Sequence, residues 1–481
     1  MIKRIDYKWI ALSCTSIGAL FSVLSSTTLV IALPEIMKEL KTSIALIMWV
    51  VMIYMFVLTI FVPLVGRLAD MIGRKKLYIS GFIVFMLGSL LCGLSRSGWQ
   101  LLSFRLVQSA GGVLLESSSV PIVADAFPKR ELGKALGING TVISVAAIIG
   151  PILGGALISV GWRFIFFINI PIGLIGTIWA WIQLKEMHTL PKHQKFDFKG
   201  TILFSIGILA FLLALTLGGS IGWLNIITII LFLAAILLIA LFILVENKVD
   251  QPMLDLRLFK TKILAFAYTS IFLNGIARGS VTFLLVFYFQ GIKGINPILS
   301  GMLLAPFAAS LMIMSPISGW LSDRYGSRLL SSIGLLISAI GLLGMMWIKA
   351  STTITELIIW MVIIGLGGGM FFAPNTNSIM SAVPIEKRGI AAGVRIMMFN
   401  AGNIISIGLS LAILSSSISQ EAIQGLFIGT QVGSSGIAVT EFVAGLRIAF
   451  AVSFAFSLIA SFISYLRGKK SNWNSDIASD S

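Results

Sequence analysis

Runs of about 20 apolar residues, separated by shorter polar segments, recur from one end of the chain to the other. A helix of that length crosses the hydrocarbon core of a bilayer. The pattern therefore predicts an all-α membrane protein with fourteen spanning helices. Their expected positions are about 11–33, 44–64, 77–96, 101–124, 137–159, 163–184, 200–219, 223–245, 263–289, 298–320, 329–348, 354–374, 389–414 and 443–466.

Composition supports a membrane protein. Of the 481 residues, 57% are hydrophobic and 11% are charged, and the mean hydropathy is +1.00, whereas a soluble protein carries roughly 25% charged residues. The first apolar run follows MIKRIDYK, is longer than the core of a signal peptide and lacks a cleavage pattern. We interpret it as the first permanent span.

The residue pattern gives no support for metal, disulfide or catalytic chemistry. Cys14 and Cys92 both fall within predicted spans, which favours apolar packing over a disulfide or a metal site. His188 and His193 share one polar linker, and the sequence has no zinc-ligand or catalytic-triad spacing. We therefore expect no catalytic residues, no metal site and no cofactor.

The net charge of +16 is distributed in a way that indicates topology rather than nucleic-acid binding. Of the 35 Lys and Arg residues, 25 fall in segments on the side of the amino terminus, six fall in the opposite loops and four fall within spans. Positively charged loops are enriched on the cytoplasmic side of a membrane. The pattern predicts a multi-pass plasma-membrane protein with both termini in the cytoplasm and no nucleic-acid partner.

One short pattern occurs twice. GRLADMIGRKK at 66–76 and GWLSDRYGSR at 319–328 share Gly, Leu, Asp and Gly at matching places, 253 residues apart. Six spans with short loops need roughly 200 residues, so about two helices are inserted between two repeated halves. The predicted layout is an N-terminal six-helix bundle at 1–184, a two-helix insertion with flanking linkers at 185–262, a C-terminal six-helix bundle at 263–466 and a cytoplasmic tail at 467–481.

Four further strings, together with the first repeat copy, carry a family resemblance. They are FRLVQSAGG at 104–112, GPILGG at 150–155, WRFIFFINIPIG at 162–173 and DLRLF at 255–259. The chain resembles a major facilitator superfamily transporter of the fourteen-span drug:proton antiporter branch, the EmrB/QacA drug-resistance subfamily. The resemblance implies the major facilitator fold, two six-helix bundles plus two inserted helices, working by alternating access.

The repeated pattern predicts two gating loops. Asp70 and Asp323 are expected in tight Gly-flanked loops, where they could simply cap the loop and set topology. The resemblance implies a further role, in which the carboxylate pairs with neighbouring helix ends and latches one state of the transport cycle. Met71 stands where arginine is usual, which would weaken the first latch. The gating residues are Gly66, Asp70, Gly73, Arg74, Gly319, Asp323, Arg324 and Gly326.

GPILGG matches the antiporter motif of the resembled family. Gly150 and Gly154 are four residues apart and form a small strip on one helix face, which favours close helix packing. Pro151 removes a backbone donor and permits a bend, and Gly155 completes the motif. In the resembled family this helix is associated with export rather than uptake.

Polar residues form a stripe along the fourth predicted helix. Arg105 and Glu116 are eleven positions apart, which returns them to one face about 16 Å apart along the axis, and Gln108 lies beside the stripe. The resemblance implies that this helix lines the central cavity. We expect the stripe to face that cavity.

Arg278 lies in the first helix of the second half, with Asn274 four residues earlier on the same face. Of the 19 acidic residues, Glu116 is the one that falls deep within a predicted span. Since a buried charge in a membrane is costly, we expect Glu116 to be the protonatable group of the cavity, facing substrate and Arg278. The alternative is that Glu116 and Arg278 form a static structural pair.

The chain departs from the branch in its first helix. The branch usually carries an acidic residue there, in a string ending ALP, whereas LSSTTLVIALP at 24–34 has Ser25 at that place. Proton coupling of the kind that the resemblance implies would then depend on Glu116.

The predicted function is export of amphipathic drugs or other small molecules, driven by an ion gradient, with protons as the expected ion. The expected partners are a small-molecule substrate and the lipid bilayer. Two alternatives stay open, a facilitator or exporter of an anionic metabolite anchored by Arg278, and a non-transporting membrane sensor or scaffold. An enzyme is not expected, because no nucleophile, base or metal constellation is present.

Overall fold

The computed structural model describes residues 6–128, 131–186, 197–249, 252, 254, 256–383, 388–418 and 436–468. Fourteen helices in these residues are long and apolar enough to cross a membrane. The prediction of an all-α membrane protein with fourteen spans is confirmed.

The first half contains seven helical segments, of which two short ones together form the sixth span. They are α1 (Tyr7–Glu39), α2 (Ile44–Ile72), α3 (Arg74–Gly93), α4 (Gly98–Ala126), α5 (Leu132–Ile158), α6 (Phe164–Phe167) and α7 (Asn169–Gln183).

The inserted pair and the second half follow. The inserted helices are α8 (Phe198–Ile221) and α9 (Ile226–Glu246). The later helices are α10 (Lys262–Arg278), α11 (Val281–Phe287), α12 (Pro297–Tyr325), α13 (Ser327–Met345), α14 (Ile354–Ser381), α15 (Arg388–Ser417) and α16 (Gly436–Tyr465). A 3₁₀ turn at Leu256–Phe259 precedes α10, and a π-helical turn at Tyr288–Ile292 follows α11.

The chain forms two compact units. The first contains the described residues of Met1–Lys195 and Ile295–Ala305, and the second contains those of Phe196–Gly294 and Pro306–Ser481. The inserted pair belongs to the second unit, where a Cβ at Gly219 of α8 would lie 2.7 Å from the carbonyl oxygen of Ala412 in α15. The functional layout of two six-helix bundles around an insertion stays a prediction.

The helix bounds correct the placement of the two gating motifs. Since α2 runs to Ile72, Gly66 and Asp70 are helical residues rather than loop residues. Since α12 runs to Tyr325, the same is true of its motif residues Gly319, Asp323 and Arg324.

The actual turns lie at the last glycine of each motif. Gly73 has φ +115° and Gly326 has φ +84°, in the left-handed region that glycine adopts without steric cost. Each of these glycines ends one helix and directly precedes the next, so the two repeat copies end in the same structural feature. Arg74 is accordingly the first residue of α3.

The last predicted outer loop, at 415–442, is shorter than expected. Its first residues continue α15 to Ser417, and its last residues belong to α16, which begins at Gly436. Residues 419–435 lie outside the described part of the chain.

The antiporter motif packs α5 tightly in the first unit. A Cβ at Gly154 would lie 2.8 Å from the carbonyl oxygen of Thr28 in α1, and one at Gly155 would lie 2.5 Å from the carbonyl oxygen of Pro297, the first residue of α12. Small residues let helix backbones approach each other in a membrane, where burial of apolar side chains gives little driving force. The motif thus serves as a packing surface.

We predict that Gly154→Ala destabilises the protein by about 1–3 kcal/mol, because the added methyl group meets backbone atoms of α1 that cannot move aside independently. Thermal unfolding of the purified protein in detergent measures the effect. Gly140→Ala on the same helix is the matched control, since no atom lies within 4 Å of its Cβ position. Equal melting temperatures for the two variants would contradict the packing role.

Candidate functional site

A buried polar network lies inside the first unit. We call it the first polar cluster, and its members come from α1, α3, α4 and α7. They are Ser25, Ser89, Arg105, Gln108 and Asn169, each no more than 3% exposed.

Gln108 is the centre of the first polar cluster. Its Oε1 accepts a hydrogen bond of 2.5 Å from Nη1 of Arg105, and its Nε2 donates to Oγ of Ser89 at 2.6 Å. The same Nε2 donates to Oγ of Ser25 at 3.3 Å, and Nδ2 of Asn169 donates to that oxygen at 3.2 Å. Ser25 therefore joins two amide groups from different helices.

Arg105 is stabilised by neutral groups. Its Nε donates to the carbonyl oxygen of Val50 at 3.3 Å, and its guanidinium carbon lies 4.8 Å from the ring centroid of Tyr54. In the described part of the chain Arg105 takes part in no ion pair. Hydrogen bonds and a cation–π contact offset the cost of placing this cation in a span. Ser25 belongs to this network at the place where the resembled branch carries an acid.

Glu116 lies further along α4 and is half-buried, with its Oε2 atom buried. Gly112, between Arg105 and Glu116 on the predicted stripe, abuts Tyr54, since a Cβ there would lie 2.7 Å from the tyrosine oxygen. The predicted polar stripe on α4 therefore runs along the same packed surface, formed with Tyr54, that contacts Arg105. Glu116 and Arg278 belong to different units, and their pairing stays a prediction.

The second unit contains a buried site in which two polar side chains, Asn274 and Arg278, lie on one helix, α10. We call these two residues, together with Phe307, Gly368 and Phe372, the second polar cluster. The guanidinium carbon of Arg278 lies 5.1 Å from the ring centroid of Phe307 and 5.6 Å from that of Phe372. A Cβ at Gly368 would lie 1.8 Å from Nη1 of Arg278, so the guanidinium occupies space that only glycine leaves open.

The second polar cluster has unused hydrogen-bonding capacity. Asn274 is fully buried and Arg278 is 9% exposed. Among the described residues, neither Nδ2 nor Oδ1 of Asn274 has a hydrogen-bond partner, and neither do Nε and Nη1 of Arg278. Buried polar atoms without partners are rare because each costs about 1–3 kcal/mol. Donors and an acceptor are therefore available to a bound molecule or to water.

A local irregularity in the ninth span follows Arg278. Helix α10 ends at Arg278 and α11 begins at Val281, while Gly279 and Ser280 between them keep right-handed helical dihedral angles. The amide N–H of Ser280 in this stretch donates to Oγ of Ser406 on α15 at 3.1 Å. A cation in the last turn of a helix is stabilised by the carbonyl groups of that end.

A cluster of charged residues lies at one end of the first unit. The N–H groups of Arg74 and Lys75 donate to the carboxylate of Glu186 at 2.8 and 3.2 Å, so Glu186 caps the N-terminus of α3. The Arg74 side chain forms an ion pair with Asp125 of α4. This cluster joins α3, α4 and the segment after α7.

The predicted latch residues are only partly described. The side chains of Asp70 and Asp323 lie outside the described part of the structure. Their role as latches stays a prediction, and the described contacts at this end are those of Arg74, Asp125 and Glu186.

Sequence reasoning missed several members of these groups. Asn169 lies within the string WRFIFFINIPIG, where a lone amide in an apolar span was a usable signal. Glu186 was a usable signal as well, because it is an acid directly after a helix. Phe307 and Phe372 are indistinguishable from packing residues in the sequence.

The family of the chain follows from a direct comparison. The model of the Major Facilitator Superfamily matches residues 15–200, 198–407 and 267–476. The chain belongs to the Major Facilitator Superfamily of membrane transporters.

Curated relatives agree with the resemblance to the drug-resistance branch. The riboflavin transporter RibZ of Clostridioides difficile is 35% identical over 86% of this chain and 89% of its own length. The multidrug resistance protein Stp of Mycobacterium tuberculosis is 30% identical over 85% of this chain and 76% of its own length. The multidrug transporter protein MdtP of Bacillus subtilis is 31% identical over 83% of this chain and 74% of its own length.

A solved structure shows the same fold. The crystal structure of a bacterial homologue of the human lysosomal transporter Spinster, inward-facing and unoccupied, matches with a TM-score of 0.70 at 16% identity. The match covers 97% of this chain and 98% of that one.

We predict that Ser25→Ala destabilises the protein by about 1–3 kcal/mol, because it removes the oxygen shared by Gln108 and Asn169 inside a dry network. The free energy of unfolding in detergent measures the loss. Ser103→Ala is the matched control, because the exposed Ser103 hydroxyl donates to the Trp99 carbonyl oxygen of its own helix, α4. If Ser25→Ala and Ser103→Ala were equally stable, the first polar cluster would not depend on Ser25.

Proposed function

We propose that the protein exports amphipathic small molecules from the cell in exchange for protons, by alternating access. The observation that carries the proposal is the second polar cluster, in which polar atoms of Asn274 and Arg278 without hydrogen-bond partners among the described residues lie on a helix face beside two phenylalanine rings. An amphipathic compound can use both the apolar and the polar parts of such a surface.

The comparisons support transport of this class. Relatives named as multidrug resistance or multidrug transporter proteins share about a third of the aligned residues and match most of the chain. Export is supported by the antiporter motif at 150–155, whose glycines pack α5 as the motif requires. We place the protein in the cell membrane with both termini in the cytoplasm, on the distribution of Lys and Arg.

Glu116 is the proposed proton carrier. The first polar cluster contains no acid, because Ser25 replaces the acid of the resembled branch and the partners of Gln108 are all neutral or cationic. Glu116 is half-buried in a span next to this cluster. A carboxyl group there takes up a proton when its surroundings are dry and releases it when they are hydrated or cationic.

We predict that Glu116→Gln abolishes uphill transport driven by a pH gradient while passive exchange of substrate continues, because glutamine keeps the shape but cannot change its charge. Transport into proteoliposomes with an imposed pH gradient measures the first property, and exchange without a gradient measures the second. Glu356→Gln is the matched control, since Glu356 is an exposed acid in the first turn of α14.

The static-pair alternative makes a different prediction. If Glu116 only neutralised Arg278, Glu116→Gln would leave a buried charge unpaired and would lower the melting temperature. The double variant Glu116→Gln/Arg278→Gln would then recover both stability and proton-driven transport. Fully coupled transport by that double variant would rule out Glu116 as the proton carrier.

A second candidate function is transport of an anionic or imide-bearing planar metabolite, such as riboflavin. The specific observation is the pair of free groups on α10, since an asparagine amide offers a donor and an acceptor side by side, and Arg278 offers further donors. An imide edge of a flavin presents the complementary carbonyl and N–H groups. The relative named as a riboflavin transporter supports this candidate.

Riboflavin binding separates the two candidates. If the second holds, Arg278→Gln and Asn274→Leu each weaken riboflavin binding about tenfold, or about 1.4 kcal/mol, through loss of a hydrogen-bonding partner. Fluorescence polarisation of riboflavin with purified protein measures it, and Arg447→Gln is the control with the same charge change. Binding of an amphipathic cation, without any binding of riboflavin, would leave the drug-export candidate.

A further inference from the structure

A cavity of about 400 Å³ lies in the second unit, where several helices end. Its walls come from the end of α12, the start of α13, the end of α14 and the residues after α16. Tyr325, which is 65% exposed, lies at its edge, so the cavity reaches the surface. The cavity is separate from the second polar cluster, since the two share no residue.

Arg467 is the cation of this cavity. It lies just beyond α16, lines the cavity and is only 2% exposed. Its Nη2 donates to Oδ1 of Asn375 at 2.5 Å and to Oγ of Ser464 at 3.2 Å. Its Nε and Nη1 have no hydrogen-bond partner within the described part of the chain. Two donors of a buried guanidinium are therefore free.

The charge of Arg467 persists at physiological pH. Burial lowers the pKa of the guanidinium to about 10, because removal from water disfavours the cation. That value is still well above neutral pH. Among the described residues no carboxylate pairs with Arg467. A buried cation without a counter-charge is strongly unfavourable, and an anion that fills the cavity would supply one.

The internal repeat shows what occupies the corresponding place in the first unit. Gly326, which precedes α13, corresponds to Gly73, which precedes α3. In the first unit the N–H groups after Gly73 bind the carboxylate of Glu186, three residues beyond the end of α7. The cavity on that side is almost filled, with a volume of about 10 Å³.

The second unit lacks both carboxylates of the first. Counting from the ends of α7 and α16, Glu186 corresponds to Gly468, and Lys185 corresponds to Arg467. Counting from the proline of each fourth helix, Pro121 and Pro374, Asp125 corresponds to Ser378. Gly468 and Ser378 both line the larger cavity. The second copy thus lacks the Arg74–Asp125 ion pair, since Ser327 also replaces Arg74, lacks the Glu186 carboxylate, and has a larger space.

The N-terminus of α13 adds further donors. Its N-cap residue, Gly326, provides no side-chain hydrogen bond. Ser327 and Arg328, whose equivalents in the first unit donate their N–H groups to Glu186, line the cavity. The first N–H groups of a helix have no partner within the helix, and a helix N-terminus therefore favours an anion.

We propose that this cavity binds a phosphate group, held by Arg467 and the first N–H groups of α13, in the place that Glu186 occupies in the first unit. A phosphate oxygen set matches a guanidinium edge and a helix N-terminus at once. The source is either the headgroup of an anionic phospholipid or a soluble phosphate.

The test compares four forms of the full-length purified protein. They are the wild type, Arg467→Gln, Ser378→Asp and Arg447→Gln. Ser378→Asp restores one carboxylate of the first unit and keeps a helical residue, so it opposes phosphate without removing Arg467. Arg447→Gln is the matched control, because it removes the same charge near the opposite end of α16, where Arg447 donates to the carbonyl oxygen of Ile348.

Two probes distinguish the sources. Native mass spectrometry measures retention of phosphatidylglycerol against phosphatidylcholine, and thermal unfolding measures stabilisation by inorganic phosphate against chloride at equal ionic strength. The wild type and Arg447→Gln should bind one phosphate-bearing probe at least tenfold more tightly than Arg467→Gln and Ser378→Asp do. Selective retention of phosphatidylglycerol identifies a lipid headgroup, and stabilisation by phosphate alone identifies a soluble anion. Equal responses of all four forms to both probes would overturn the proposal.

Discussion

A cation placed within a membrane protein has to be solvated by the protein itself, and the way this chain meets that requirement organises the rest of the structure. Several ion pairs lie near the ends of helices, where Lys8 pairs with Asp6 and Glu131, Arg74 with Asp125, and Arg163 with Glu39. The most deeply buried arginines have a different environment. Arg105 is held by an amide, a carbonyl group and an aromatic ring, whereas Arg278 and Arg467 keep free donors.

This division separates structural positions from positions available to ligands. The first polar cluster satisfies Arg105 through Gln108, and its five residues join four helices in a fixed arrangement, which is what a rigid half of a transporter needs. The second polar cluster combines two aromatic rings with donors that have no hydrogen-bond partner among the described residues. The proposed substrate site therefore lies in the second unit, and the proposed proton coupling would depend on Glu116 because Ser25 is neutral.

Much of the fold could be predicted because a span needs only length and apolarity, which are local properties of the sequence. The proximity of the Arg105 and Gln108 side chains was also predictable, since residues three positions apart on a helix lie on nearly the same face. The gating motifs were placed in loops because their polar residues follow the apolar runs, whereas α2 and α12 continue as helices to Ile72 and Tyr325 and the chain turns only at Gly73 and Gly326. The irregular turn after Arg278 falls on Gly279 and Ser280, a residue pair typical of helix kinks, so the sequence carries a local signal for it. The roles of Phe307, Phe372 and Arg467 depend instead on packing between distant segments.

Simultaneous measurement of substrate and proton movement in proteoliposomes tests the central claim most directly. With an acidic lumen, the wild-type protein should accumulate substrate above its external concentration while the lumen becomes more alkaline, and a protonophore should abolish both changes. Transport that stops at equal concentrations on the two sides and is unaffected by the pH gradient would contradict proton-driven export.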